Sequence, residues 1–326
     1  MKGITIIKNR SDLGAGTRGS DMGIDAIEIA AINQQSDYFS RFPYIDLETE
    51  NEAIYYKQHN VFAKRIHNVR NVCVRLAHAV AGYLKEEEFP LVISGDHSSA
   101  LGTISGIRMA HPDKKLGVIW IDAHADMHAP YTTPSGNLHG MPLAGALAFD
   151  NPKRHVQEIA PDTAATWEEM KNIGGFSPKV YPQDVLFFGV RDTEEPEDYA
   201  IAHLGMRNYR VDEIRYRGMQ TCMTEAMAYI KDCDHVYISF DIDSLDCDMY
   251  SHGTGTPVPY GFDTSEVIAI IKAIIAAKPI ACMEIVEVNP TLDNKGNRMA
   301  EAAFEVLAAV TEDIIGQFEP ADLMAN

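Results

Sequence analysis

Apolar residues follow two rhythms along this chain. Phe62, Ile66, Val69, Cys73, Leu76, Val80 and Tyr83 recur at alternating steps of four and three, the spacing of one buried helical stripe. A long amphipathic helix is therefore predicted over much of 60–85. Elsewhere apolar residues gather in short runs at 91–93, 116–121, 185–190, 236–240 and 280–288, preceded by an opening run within 1–8. Such runs, each closed by polar or glycine-containing residues, read as parallel strands buried on both faces. Helices are predicted between them at 100–110, 221–231, 264–277 and 298–315, the third opened by Asp263-Thr264-Ser265-Glu266, an order that suits an N-terminal cap. The alternation of strand and helix predicts an α/β fold: a three-layer α/β/α arrangement with a doubly wound, mainly parallel sheet. No repeat, low-complexity tract or Pro/Gly/Ser-rich linker divides the sequence, so 1–326 reads as a single domain. The stretch 151–181, rich in Pro, Lys, Glu and Asp, is the least regular and is expected to be an excursion from the core.

Composition narrows the partners. The hydrophobic fraction of 46% is ample for a core, and 47 acidic against 28 basic residues give a formal charge of -19. That balance repels phosphate backbones and anionic membrane surfaces, which argues against nucleic acid and membrane partners and suits a small cationic one. The opening apolar run is too short for a signal-peptide core, and the longest later run, within 267–277, is broken by Lys272 and falls well short of the ~20 residues a span needs. A cytoplasmic protein is expected. The five cysteines, at 73, 222, 233, 247 and 282, are odd in number and never form a C-x-x-C pair, which indicates neither a disulfide framework nor a zinc knuckle.

The polar residues that close the apolar runs form a chemical set. Ser94-Gly95-Asp96-His97 follows one run, Asp122-Ala123-His124-Ala125-Asp126 the next, Asp241-Ile242-Asp243 a third, and Glu287 lies within the last. Ligands of open α/β sheets bind beyond the carboxyl ends of strands, where these residues lie. On an extended backbone Asp122, His124 and Asp126 point the same way, so three ligating groups would converge without a turn. Asp241 and Asp243 repeat the device, and His97 adds a second imidazole. A lone Asp-x-Asp or Gly-Asp-His is more often a cap or turn, but three such pieces at successive strand ends are not explained that way. Four carboxylates in one pocket would repel one another, whereas two divalent cations would neutralise them. Carboxylate-dominated ligation without thiolate favours a hard ion, manganese over zinc.

These residues resemble the ureohydrolase superfamily of arginases, agmatinases and related guanidino hydrolases. Ser94-Gly95-Asp96-His97-Ser98, Asp122-Ala123-His124-Ala125-Asp126 and Ser239-Phe240-Asp241-Ile242-Asp243-Ser244-Leu245-Asp246 resemble its three metal motifs. The resemblance implies the superfamily's arginase-like fold and two Mn²⁺ ions per subunit. One ion would be held by His97, Asp122, Asp126 and Asp241, the other by Asp122, His124, Asp241 and Asp243. A hydroxide bridging the ions would attack a guanidinium carbon. Ser135-Gly136-Asn137-Leu138-His139-Gly140 is similar to the arginase loop that holds the amino-acid end of the substrate. Glu287-Val288-Asn289-Pro290 resembles the segment whose glutamate pairs with the guanidinium, and Gly255-Thr256-Pro257 the loop whose threonine lies beside it. In that frame Glu287 orients the substrate, Asp126 carries a proton to the leaving amine, and His139 shuttles protons to solvent.

Two positions depart from the arginase pattern. His128 stands where arginases commonly have an asparagine that contacts the α-carboxylate, and Glu194 where an aspartate usually holds the α-amino group. The resemblance implies an Mn²⁺-dependent hydrolase of L-arginine, giving L-ornithine and urea, with Ser135, Asn137, Thr256, Glu287, His128 and Glu194 on the substrate. The alternative within the superfamily is a sister enzyme acting on agmatine, guanidinobutyrate, formimidoylglutamate or a modified arginine. A noncatalytic binding protein that retains the fold is the rival from another class, and an intact ligand set with Glu287 and His139 argues against it. A binuclear phosphoesterase is disfavoured by the acidic balance and the absence of a phosphate-cradling loop or basic clamp. Family resemblance also implies a homo-oligomer, a trimer or hexamer.

Overall fold

A computed structural model of the protein describes residues 1–318. Eight strands, β1 (Gly3–Asn9), β2 (Tyr44–Asp46), β3 (Glu88–Ser94), β4 (Leu116–Ile121), β5 (Val185–Phe188), β6 (Arg207–Tyr209), β7 (His235–Asp241) and β8 (Ile280–Val286), form one sheet in the order β2-β1-β3-β8-β7-β4-β5-β6. Every neighbouring pair is parallel. The predicted α/β class is the observed one.

Because successive strand side chains point to opposite faces, each central strand feeds two cores. Ile119, Ile121, Ile238, Phe240, Met283 and Ile285 join one, closed by the helices Gly23–Asn33, Met219–Tyr229, Thr264–Ala277 and Arg298–Gly316. Val118, Trp120, Tyr237 and Cys282 join the other, under the helices Ile66–Lys85, Ala100–Ala110 and Pro161–Lys171. Burying both faces explains why the runs read as continuous rather than alternating.

Helix boundaries follow local chemistry. The expected stripe is buried at Ile66, Val69, Cys73, Leu76 and Val80, but the helix begins only at Ile66 because Arg65 adopts a left-handed φ of 57°, which leaves Phe62 ahead of it. The helix Thr264–Ala277 opens with a reciprocal box: Glu266 N donates to Asp263 Oδ1 at 2.8 Å and Asp263 N to Glu266 Oε2 at 2.9 Å. The 151–181 stretch is more regular than expected. It holds the helix Pro161–Lys171, anchored by the fully buried Trp167, whose indole N–H donates to Asp150 Oδ1 at 2.7 Å.

Two strand runs end earlier than the sequence suggests. Gly189 turns to φ 91° after β5 and Glu287 to φ 68° after β8, so both leave the ladder. The chain fills β2, β1 and β3 on one side and β4, β5 and β6 on the other, with β8 and β7 between. The four central strands β3, β8, β7 and β4 thus lie where the strand order reverses, and their carboxyl ends open into one crevice. Among the described residues, no helix is long and apolar enough to cross a membrane.

Replacing Asp263 with alanine removes the box at the helix start. The expected outcome is a loss of about 1 kcal/mol of unfolding free energy, read as a lower urea midpoint at constant slope. An unchanged midpoint would show that the box contributes nothing.

Candidate functional site

Each of three central strands ends in the same small turn. A terminal aspartate accepts, through its own side chain, the backbone N–H two residues on: Ser98 N to Asp96 Oδ1 at 2.9 Å, His124 N to Asp122 Oδ1 at 2.7 Å, and Asp243 N to Asp241 Oδ1 at 2.8 Å. Such side-chain turns stop the ladder and bend the chain. The expectation that Asp122, His124 and Asp126 share an extended backbone is therefore corrected. β4 ends at Ile121, and Asp126 has a left-handed φ of 51°, so a turn and not strand alternation brings the three side chains together.

The turns collect the six predicted metal-site residues. His97 Nδ1 lies 3.1 Å from Asp122 Oδ2, 3.0 Å from Asp126 Oδ2 and 3.1 Å from Asp241 Oδ2. His124 Nδ1 lies 3.0 Å from Asp243 Oδ2 and 3.5 Å from Asp122 Oδ1. All but His124 are buried. Burial, followed by the charges of Asp243 and Asp122, pushes the Asp241 carboxyl well above the usual range, and burial with Asp122 pushes Asp126 up to about 6. Burial alone would lower the His97 pKa, yet its three carboxylate neighbours hold it well above the ordinary value. Like charges crowded out of water call for a counter-cation.

The donor set fits a metal. His97 Nδ1 and Asp122 Oδ2 are buried with no hydrogen-bond partner. Two groups that could hold an ion, His97 with Asp122 and Asp126, and Asp122 with His124 and Asp243, share Asp122. Adjacent sites joined by one carboxylate suit two ions better than one.

Beside this cluster Glu287 is buried just past β8, and its left-handed φ turns it back under the first motif. Its Oε1 accepts from His97 N at 2.9 Å and lies 3.1 Å from His139 Nδ1, while Oε2 has no partner. Burial would lower His139, but the Glu287 carboxylate raises it to about 9. Thr256 Oγ1 donates to Asp243 Oδ2 at 3.0 Å, which ties that loop to the cluster.

The predicted far-end residues line the same cavity of about 260 Å³, which includes His128, Ser135, Asn137, His139, Glu194 and Thr256. Ser135 Oγ accepts from Asn137 N at 3.2 Å, and Lys64 Nζ donates to Asn137 Oδ1 at 3.1 Å. Gly136 makes this loop possible, since its φ is 73° and a Cβ there would lie 1.9 Å from Val61 O. His128 and Glu194 face each other: Nε2 and Oε2 are 2.5 Å apart, and Nδ1 lies 3.1 Å from Thr132 Oγ1. His128 is raised, chiefly because hydrogen bonding and charge from Glu194 and Glu197 outweigh burial, and Glu194 is lowered by His128.

Three site residues escaped the sequence reading. Asp192 approaches His124 Nε2 at 3.7 Å. Glu197, buried in the first turn of the helix Glu195–Leu204, accepts from Met127 N at 3.1 Å and lies 3.6 Å from His128. Ser239 Oγ lies 2.7 Å from His97 Nε2. Ser239 stands in the third motif, two residues before Asp241 and so on the same strand face; that spacing was the signal available.

Comparison with known proteins agrees with this geometry. The Arginase family profile matches residues 2–311. The chain is 36% identical to arginase of Brevibacillus brevis over 96% of its own length and 98% of the relative's. It is likewise 36% identical to arginase of Bacillus caldovelox, over 95% and 98%. The native structure of arginase from Bacillus caldovelox at pH 5.6 superposes with a TM-score of 0.79 at 34% identity, covering 98% of this chain and 100% of that one. A formimidoylglutamase structure from Bacillus subtilis shares the fold, with a TM-score of 0.72 at 21% identity. With the profile spanning nearly the whole sequence and both relatives aligned end to end, the chain belongs to the arginase family and is an enzyme of the arginase-type amidinohydrolase class.

Proposed function

We propose that this enzyme hydrolyses L-arginine to L-ornithine and urea, using two manganese ions held by His97, Asp122, His124, Asp126, Asp241 and Asp243. The observation that carries the reading is the free Oε2 of Glu287, a buried carboxylate oxygen without a partner, set one hydrogen bond from the backbone of His97. A planar guanidinium offers the donors such an oxygen lacks. Kinship with arginases at 36% identity supports the same substrate. Carboxylate-rich ligation supports manganese. Two divalent ions bound there supply an activated water at neutral pH.

The chain's own groups do the rest. Glu287 grips the guanidinium and fixes its carbon above the carboxylate cluster, so little reorientation precedes attack. Asp126, whose Oδ2 lies beside His97 at the edge of the cluster, is placed to receive the proton of the attacking water and pass it to the leaving amine. His139, partly exposed at the cavity wall and held as imidazolium by Glu287, exchanges protons with solvent. Thr256 keeps Asp243 in place. Ser135, Asn137, His128 and Glu194 meet the amino-acid end.

The pairing of His128 with Glu194 is the observation that favours a second reading, a sister ureohydrolase acting on agmatine, guanidinobutyrate, formimidoylglutamate or a modified arginine. A carboxylate already bonded to an imidazole is less available to an ammonium group than a free one. Product release with manganese present, urea from the guanidino compounds and formamide from formimidoylglutamate, separates the two readings: turnover of another compound without turnover of arginine would overturn the first.

Asp126→Asn should lower kcat at least about a hundredfold, and Asp241→Ala should lose bound manganese, both with an unchanged circular dichroism spectrum; near-normal turnover would remove either residue from its role. Removing the negative charge with Glu287→Gln should destabilise the His139 imidazolium. Its midpoint in the metal-free protein, followed by nuclear magnetic resonance, should fall from about 9 toward the ordinary value near 6.5. A midpoint that stays put would mean that Glu287 is not its cause. His128→Ala should cut kcat/KM for arginine roughly tenfold and affect agmatine, which has no carboxylate, much less. Equal losses on both substrates would show that His128 does not meet the carboxylate.

A further inference from the structure

Behind the candidate metal centre lies a second buried carboxylate that the proposed chemistry does not use. Glu284, in the middle of β8 and fully buried, sits in register with Ser239 of β7. Its partners are hydroxyls: Ser94 Oγ and Ser99 Oγ each lie 2.7 Å from Oε1, and Tyr237 OH lies 2.7 Å from Oε2. Tyr237 OH is also 3.2 Å from Ser239 Oγ, which is 2.7 Å from His97 Nε2. A line of polar groups therefore runs from Glu284 to the imidazole whose other nitrogen faces the aspartates.

We propose that Glu284 is a positioning residue for the metal centre, setting through Tyr237 and Ser239 which nitrogen of His97 is free to bind metal; this rests on the metal-centre reading above. Proton accounting gives the direction. A carboxylate only accepts, and Tyr237 has a single proton, which goes to Glu284 at 2.7 Å in preference to Ser239 at 3.2 Å. The heavy-atom geometry of the 3.2 Å contact suits Tyr237 as donor to Ser239, but with its one proton spent on Glu284 it cannot donate there; the Ser239 hydroxyl then turns its proton toward the phenolic oxygen, and the Ser239 oxygen accepts from the Nε2–H of His97. That leaves the Nδ1 lone pair for a metal, and Nδ1 is the atom with no hydrogen-bond partner, 3.0 to 3.1 Å from three aspartates. Such outer partners fix the tautomer and orientation of metal-binding histidines.

Trp120 supplies the complementary restraint. Its ring stacks on His97 with centroids 4.1 Å apart and planes within 8°. Stacking holds the plane of the imidazole but does not distinguish one ring edge from the other. The hydrogen-bonded line does, because only one orientation presents an N–H to Ser239. Glu284→Gln would blur that distinction: an amide can donate to Tyr237, letting Tyr237 donate to Ser239 and Ser239 to Nε2, which places the proton on Nδ1 where the metal should bind.

The test is manganese binding by titration calorimetry on the metal-free full chain, with thermal unfolding as a check on the fold. Glu284→Gln should weaken one of the two binding steps 10- to 100-fold and affect the other less, and part of its lost turnover should return as manganese is raised. Tyr237→Phe keeps the ring but breaks the line, and should weaken the same step; it decides the matter if the glutamine variant does not fold. Wild-type affinity at both steps in the folded variants would overturn the proposal and leave the metal centre intact. Failure of the unaltered protein to bind manganese would overturn the metal-centre reading and this inference with it.

Discussion

Mutual repulsion among Asp122, Asp126, Asp241 and Asp243 is the constraint on which the arrangement around the cleft depends. Water is largely excluded from these four carboxylates, and two imidazoles cannot balance them. The raised carboxyls of Asp126 and Asp241 record that imbalance. A folded chain tolerates it only if the backbone holds the groups in place, and the side-chain turns at the ends of β4 and β7 do so for Asp122 and Asp241, each using one oxygen of its aspartate and leaving the other to face His97, whereas Asp96 past β3 spends both oxygens on the backbone N–H groups of Ser98 and Gly14. Two divalent cations are the simplest means of relieving the charge, and the same charge excludes anionic partners.

Around this centre the structure keeps charges in local pairs. Glu287 is matched by His139, and Glu194 by His128, so neither adds its full charge to the cluster. Glu284, on the far side of His97, is satisfied by hydroxyls. The consequences for function differ. Glu287 retains one unpartnered oxygen, whereas Glu194 has spent a bond on His128; under the proposed function, that contrast assigns substrate choice to the outer pair and the chemistry to the inner cluster.

Much of the fold was legible because burial on both faces makes parallel strands continuous and helices striped. β4 and the helices Ala100–Ala110 and Thr264–Ala277 lie where the sequence predicts them. What escaped has physical causes. β2 and β6 are three-residue edge strands whose side chains are largely not buried, so no apolar run marks them. The helix Pro161–Lys171 packs through few residues, with Trp167 as its anchor, and its charged composition hid it. Strand ends were overshot at Gly189 and Glu287, because a left-handed residue stops a ladder without interrupting the hydrophobic pattern.

By itself the sequence determined the layers, the strand ends at which polar residues gather, and the identity of the six candidate ligands. Those follow from which residues must be buried and which chemical groups suit a cation, and both are properties of residue type and spacing. Only the tertiary structure decided that Asp122, His124 and Asp126 converge through a turn, that His128 closes on Glu194 from 66 residues away, and that Glu284 stands behind His97. The turn rests on a left-handed dihedral at Asp126 that residue type does not announce, and the other two contacts join segments far apart in the sequence, with geometry set by how the sheet brings them together.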